Sequence, residues 1–381
     1  MNSAASAALR RPPLPIPLTI LTGFLGAGKT TCLNRLVQNP ALSNTLILIN
    51  EFGAVGLDHL FIEKVDGDMI LMSSGCICCT IRGDLVTTLE DLLKRLDNGR
   101  IKAFDRIILE TTGLADPAPI LHAIMYHPYL MLRYRLDGVI TVIDAINGAA
   151  TFDAHEEAVK QAAVADRLII TKTDMAEGTE NLNAIVTRLK ALNPSAQILV
   201  SEEGETTIEQ LLNCGLYNPD TKTPRVRAWL NAEAVIDAHK HGPHGDHRHT
   251  DINRHDDHIH AYCLTSDTPL TPSSFDIFIE LLRQTHGPKL LRVKGIVALT
   301  DDPRRPVVIH GVQHIFHPPH RLENWPDQDH RTKIVFILKD LDEKFIEGLY
   351  AALTSQPAPD QPDASVLINN PLAPKSGGLL G

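Results

Sequence analysis

The stretch GFLGAGKT, residues 23–30, decides the fold. It is a complete match to G-x-x-x-x-G-K-[ST], entered by the strand-like PLTILTG and left through KTTCLNRLVQN, whose spacing predicts a helix. In that setting Gly23, Gly26 and Gly28 let the backbone, with Ala27 between them, curl around phosphate oxygens without side-chain obstruction. Lys29 then reaches the β- and γ-phosphates, the Thr30 hydroxyl ligates Mg²⁺, and Thr31 lies near the α-phosphate.

Working outward, short branched apolar runs recur at 46–50, 69–72, 106–110, 136–144 and 166–171. Helix-like stretches at 85–96, 154–164 and 179–192 lie between several of them. Strands apolar on both faces and alternating with amphipathic helices predict an α/β fold with a largely parallel sheet covered on both sides. The expected organisation is a flexible arm over 1–14, a P-loop domain over 15–215, a His-rich linker over 216–258, a smaller α/β domain over 259–353 and a disordered tail over 354–381. Composition supports the division: eight of the eighteen histidines fall within 239–260, where neither helical nor strand periodicity survives. The final stretch is rich in Pro, Ala, Ser and Gly.

Bulk charge narrows the function classes. At 381 residues the chain exceeds one ordinary domain, and 36 Lys plus Arg against 46 Asp plus Glu give a net charge of −10. That balance argues against a general nucleic-acid surface. No apolar run has the length of a membrane span, and residues 1–12 have no signal-peptide core, so the expected location is the cytoplasm. Thiols stay reduced there, so clustered cysteines are ligands or reactive groups before they are disulfides.

A phosphate site needs a group that holds the metal and another that senses the γ-phosphate. RIILETTGLADP supplies both: Glu110 at a strand end can contact Mg²⁺ directly or through water, and Gly113 can offer a backbone N–H. TKTD, residues 171–174, follows another apolar strand. Asp174 there can accept from N1–H and the exocyclic amine of guanine, with the Lys172 stem over the ring; adenine has no matching donor pair, so GTP is expected over ATP.

The chain has six cysteines, and three of them, Cys76, Cys78 and Cys79, fall in GCICC. In an extended segment Cys76 and Cys78 point one way and Cys79 the other, so one ion meets all three only if the backbone turns. Soft sulfur donors favour Zn²⁺ or Cu⁺, while a Cys76–Cys79 redox pair is the alternative. Glu51 and His59 are further donors, and Glu51 is also a candidate for orienting the attacking water. Cys32, Cys214 and Cys263 stand singly and are expected to be small buried hydrophobes. The histidine tract is a polar linker or a site for Zn²⁺, Ni²⁺ or Co²⁺. His317 and His320 are expected to be surface ligands or loop residues.

GFLGAGKTT, NEFG, GCICCTIRGDL, ETTGLADP, TKTD, RVKGIV and VIHGVQHIFHPP together resemble the CobW family of P-loop GTPases over about residues 16–350. The resemblance implies GTP hydrolysis with Mg²⁺ at Lys29, Thr30 and Glu110. It implies a zinc or related ion at Cys76, Cys78 and Cys79 whose binding follows the nucleotide state, so that the chain acts as a metallochaperone. It also implies a C-terminal domain that contacts a client metalloprotein or another subunit in a homo-oligomer. The readings that compete with the carrier are a GTP-dependent insertion factor for a cobalt, iron or nickel enzyme, and a His-rich metal buffer. Two departures stand out: Ala54 occupies a position where many relatives carry glutamate, and Thr171 replaces the commoner Asn, which is expected to loosen the guanine loop.

Overall fold

The structure, a computed structural model, describes residues 13–52, 69–74, 81–201, 208–212, 214 and 258–354, without the side chains of 50–52, 69–74, 81–84, 176, 177, 208 and 209. Seven parallel strands form the first sheet: β1 (Ile16–Gly23), β2 (Thr45–Phe52), β3 (Met69–Ser74), β4 (Arg106–Glu110), β5 (Tyr134–Asp144), β6 (Arg167–Thr171) and β7 (Gln197–Val200). They lie in the order β3-β2-β4-β1-β5-β6-β7. Leu18, Ile20 and Leu21 of β1 are all fully buried, although neighbouring residues point to opposite faces. Both faces are therefore covered, which is why the strands carry continuous apolar runs.

Helices α1 (Lys29–Val37) and α2 (Ile81–Asp97) pack on opposite faces of this sheet: Leu33 and Leu36 meet Leu21, Ile47 and Val142, whereas Leu89 and Leu93 meet Leu18, Leu48 and Leu109. Beside α2 lie α3 (Pro117–Tyr126) and the short α4 (Leu130–Arg133), neither of which the apolar periodicity announces. The start of α3 is nonetheless written locally. The Asp116 carboxylate accepts from the Ala118 amide at 2.9 Å, and Pro117 occupies the first turn, where its missing N–H has no partner to lose.

The expected helix over 154–164 is α6 (Glu156–Ala163), preceded by a short helix that was not expected, α5 (Gly148–Ala154). His155 between them is extended, with φ −138° and ψ 109°, and its ring stacks on Phe24 of the phosphate loop, centroids 4.4 Å apart. Helix α7 (Ala176–Leu192) and the one-turn α8 (Ile208–Leu211) follow. The C-terminal end of α6 is capped from afar: Asn193, fully buried, donates to the carbonyls of Ala162, Ala163 and Ala165 at 2.9–3.0 Å.

The smaller C-terminal unit is antiparallel: β8 (Ile259–Ser266), β9 (Leu290–Val297), β10 (Val307–Val312), β11 (Ile315–Phe316), β12 (His320–Arg321) and β13 (Thr332–Lys339). Its order is β11-β10-β9-β13-β8, with β12 also on β10. A turn at Gln313, φ 54°, splits the run 306–316 into two strands. One face, with Val293, Val297, Ile309, Ile334 and Phe336, packs on α9 (Pro272–His286) and α10 (Glu343–Thr354).

The other face meets the parallel sheet's domain, where Leu291 and Ile337 join the core of α6 and α7, and Val312 and Ile315 join that of α2 and α3. Charge is buried in the same seam. Arg292, 0% exposed, donates to the Val164 carbonyl and the Asp166 carboxylate, and Lys294, 1% exposed, lies 2.9 Å from that carboxylate. Burial pushes Asp166 upward, but Arg292 and Lys294 outweigh it and hold the carboxyl well below the usual range. His317 lies in the loop after β11, one of the two expectations for it: its half-buried ring stacks on buried His310, and burial beside Arg292 lowers its pKa to about 4. His320 is exposed.

Candidate functional site

The nucleotide-site candidates sit where β1, β4, β5 and β6 end, along one edge of the parallel sheet. The phosphate loop has the shape its glycines allow. Gly26 and Gly28 take φ of 72° and 93°, and a Cβ on Gly23 would sit 2.4 Å from the Val142 carbonyl oxygen, so only glycine fits there. Gly28 precedes the first turn of α1, and Lys29 Nζ donates to the carbonyls of Gly23 and Phe24 at 3.0 and 3.2 Å. Ala27 is buried, while Thr31 is exposed beside the helix start.

Thr30 and Glu110 are 80 residues apart, yet Thr30 Oγ1 lies 3.2 Å from Glu110 Oε1. Neighbouring strands make this contact: β1 pairs with β4 in register from Leu18–Ile107 to Leu21–Glu110. Glu110 is 5% exposed, so its carboxylate is presented from a largely desolvated strand end. One hydroxyl and one carboxylate at this separation are the hard oxygen donors that Mg²⁺ takes together with phosphate and water.

Beyond Glu110 the chain turns across the phosphate loop. The Thr111 amide donates to the Leu21 carbonyl and its hydroxyl to Thr22 Oγ1, at 2.9 and 2.8 Å. A Cβ on Gly113 would lie 2.6 Å from the Leu25 amide nitrogen, so the turn rests directly on the loop.

The guanine-loop candidates follow β6. Thr171 Oγ1 is 2.6 Å from the Ala27 carbonyl and 3.1 Å from that of Ile143. The short Thr171 hydroxyl thus ties this loop to the phosphate loop. Lys172 adopts a left-handed φ of 60°, and its ammonium lies 2.6 Å from Asp144 Oδ2. Although burial opposes it, the Asp144 carboxyl is held below its ordinary range by Lys172, Asn147 and the amides of Ile146 and Asn147. Asp174 is exposed, with its side chain available to a ligand.

Cys76, Cys78 and Cys79, His59, and the tract 239–257 lie outside the described residues, as does the side chain of Glu51, which is near the end of β2. Among the described residues no group of three or more His, Cys, Asp and Glu side chains could hold a metal ion. Burial raises the thiols of Cys32 and Cys214 to about 12. Burial also raises that of Cys263. Thiols are poor ligands until ionised; Cys214 is buried as expected, whereas Cys32 and Cys263 are half-buried. No helix among the described residues is long and apolar enough to cross a membrane.

Sequence reasoning missed Gln161, fully buried in α6, whose amide donates to the carbonyls of Gly113 and Ala115 at 3.1 and 2.9 Å. It also missed the seam around Asp166. Neither has a local motif. A glutamine on the apolar face of an amphipathic helix was the available signal for the first, and two cations inside a strand, RVK, for the second.

Comparison with known proteins agrees with this architecture. Residues 17–200 match the CobW/HypB/UreG nucleotide-binding domain, and residues 259–353 match the C-terminal domain of the cobalamin synthesis protein cobW. The chain is 32% identical over 339 residues to the zinc chaperone YjiA of Escherichia coli, covering 89% of this chain and 99% of that protein. It is 29% identical over 365 residues to the zinc chaperone CobW of Pseudomonas aeruginosa, covering 87% and 89%. The solved structure of Zn(II)-bound YjiA GTPase from E. coli superposes with a TM-score of 0.62 at 30% identity, covering 90% of this chain and 99% of that one.

Proposed function

Because the chain belongs to the CobW/HypB/UreG family of P-loop GTPases, we propose that it is a GTP-hydrolysing metallochaperone that carries zinc and passes it to a client metalloprotein according to nucleotide state. The observation that carries the nucleotide half is the convergence of the phosphate loop, the Thr30–Glu110 pair and the Gly113 turn at one sheet edge. The zinc half rests on the GCICC segment and on similarity to proteins described as zinc chaperones.

In this reading the amides of residues 23–31 and the Lys29 ammonium bind the phosphates, where they stabilise charge that builds on the transferring group. Gly113 offers its N–H to the γ-phosphate. Thr30 and Glu110 would hold Mg²⁺, which when bound would supply positive charge to offset that of the phosphates. Asp174 pairs with the guanine edge, Lys172 lies over the base, and Glu51 orients the attacking water. Cys76, Cys78 and Cys79 bind zinc as cargo, on a segment lying in sequence between the phosphate loop and Glu110, so that loss of the γ-phosphate alters the ligand set. The setting is cytoplasmic.

Calorimetry with GTP, GDP and ATP in the presence of Mg²⁺ tests the first half, with binding of both guanine nucleotides and at least tenfold weaker ATP expected. Zinc titration of Cys78→Ser tests the second: loss of the tight site supports it, and an unaltered tight site contradicts it.

A further inference from the structure

The chemistry proposed above leaves open what holds the γ-phosphate turn against the phosphate loop. Gly113 and Ala115 follow β4 without a helix of their own before α3. Their carbonyls accept from one side chain, Gln161 Nε2, at 3.1 and 2.9 Å. Both hydrogens of the amide nitrogen are thus used, and two facing carbonyls permit only this orientation of the amide. Gln161 is 0% exposed, so neither bond competes with solvent.

The helix behind it is equally constrained. The Gln161 main-chain carbonyl accepts from Thr141 Oγ1 at 2.7 Å, and Asn193 satisfies the carbonyls at the end of α6. Val164, one residue beyond α6, offers its carbonyl to Arg292 of the second sheet, while Glu156 at the helix start pairs with Lys339 of β13. The turn is therefore fastened to a helix that is bonded at both ends to the C-terminal unit. The side chain also lines a cavity of about 190 Å³ shared with Phe24 and Ala27 of the phosphate loop.

We propose that Gln161 is a positioning residue for GTP hydrolysis: it sets the Gly113–Ala115 turn at the height from which the Gly113 N–H meets the γ-phosphate. The inference rests on the GTPase reading of the site. It separates two ligands by chemistry, since GDP has no γ-phosphate and does not use the turn. Removing the amide should lower kcat and the preference for GTP over GDP, and should leave GDP affinity intact. A role confined to packing would alter neither ratio.

The test uses the full chain in single-turnover GTP hydrolysis, with fluorescent GDP binding alongside. Gln161→Leu, which keeps the bulk and removes both donors, is expected to lower the rate at least tenfold with GDP affinity within twofold of wild type. A rate within twofold of wild type overturns the proposal. If Gln161→Leu does not hold GDP, Thr141→Val decides by the same measurement, a threefold or greater loss of rate supporting the proposal and a smaller change overturning it. Wild-type protein that binds GTP and never turns it over contradicts the GTPase reading itself, an outcome separate from either result for the variants.

Discussion

The two edges of the parallel sheet put buried polar groups to different uses. At the carboxyl edge Thr22, Glu110, Thr111 and Asp144 are buried at or just beyond the ends of three neighbouring strands, with Thr22 bonded to Thr111, Glu110 to Thr30, and Asp144 to Lys172 and Asn147. At the amino edge Asp137 and Asp166 also lie buried, but their partners are cations within the fold: Arg106 for Asp137, and Arg292 with Lys294 from the second sheet for Asp166. Cost explains the contrast. A charge buried against another element has to be matched permanently, because desolvation is not recovered unless a partner is held in place. At the carboxyl edge the partners lie instead at the start of α1 and on the segments that follow the strands, those proposed to surround a ligand. The first edge is built for exchange and the second for fixture.

The largest expected effect breaks the fixed edge. Asp166→Asn leaves Arg292 and Lys294 facing a neutral amide, and destabilisation of about 3–5 kcal/mol is expected in urea unfolding. At the exchanging edge, Lys29→Ala should lower kcat/KM for GTP by about 10²–10³, the scale for losing one preorganised group at a developing charge, with thermal stability retained. Thr171→Val removes the tether to the Ala27 carbonyl, and about 1 kcal/mol, roughly a fivefold loss of GDP affinity, is expected. The smallest effect belongs to Lys339→Ala. Its partner Glu156 is about one-third exposed, and screening limits the loss to under about 1 kcal/mol.

A pH experiment sharpens the same contrast. Burial lowers Lys294 to about 8, against the partial opposition of Asp166. Between that value and the ordinary lysine range the unfolded chain holds the proton that the folded chain has released, so this group's contribution to stability rises with pH. The cost of keeping it charged is present in full below about 8 and is relieved as pH approaches 10. Urea unfolding of wild type against Lys294→Met should therefore move in favour of wild type from pH 8 to 10. A constant difference would contradict the buried-lysine account.

The same two edges explain how much the sequence disclosed. Glycine loops and strand-end motifs are contiguous, so GFLGAGKT, Glu110 and TKTD were readable as local chemistry, and the parallel sheet followed from apolar runs alternating with helices. The seam was not readable, because Arg292 and Asp166 are 126 residues apart and only the docking of two sheets joins them. Gln161 was hidden for the same reason, 48 residues from the carbonyl it holds. Helix α6 was readable from the helical spacing of AHEEAVKQAAV, whereas the seven-residue α5 before it, GAATFDA, is too short to announce itself by periodicity. Helix α3 was overlooked because two prolines, Pro117 and Pro119, sit in its first turn, where they are tolerated.

The central claim joins the exchanging edge to a metal. Zinc affinity, measured by competition with a chromophoric chelator, is to be compared in the presence of Mg²⁺ with GDP and with a non-hydrolysable GTP analogue. The account expects affinities that differ by at least tenfold between the two nucleotides, and no such difference in Cys78→Ser. Equal zinc affinity in both nucleotide states of the wild-type chain would contradict it.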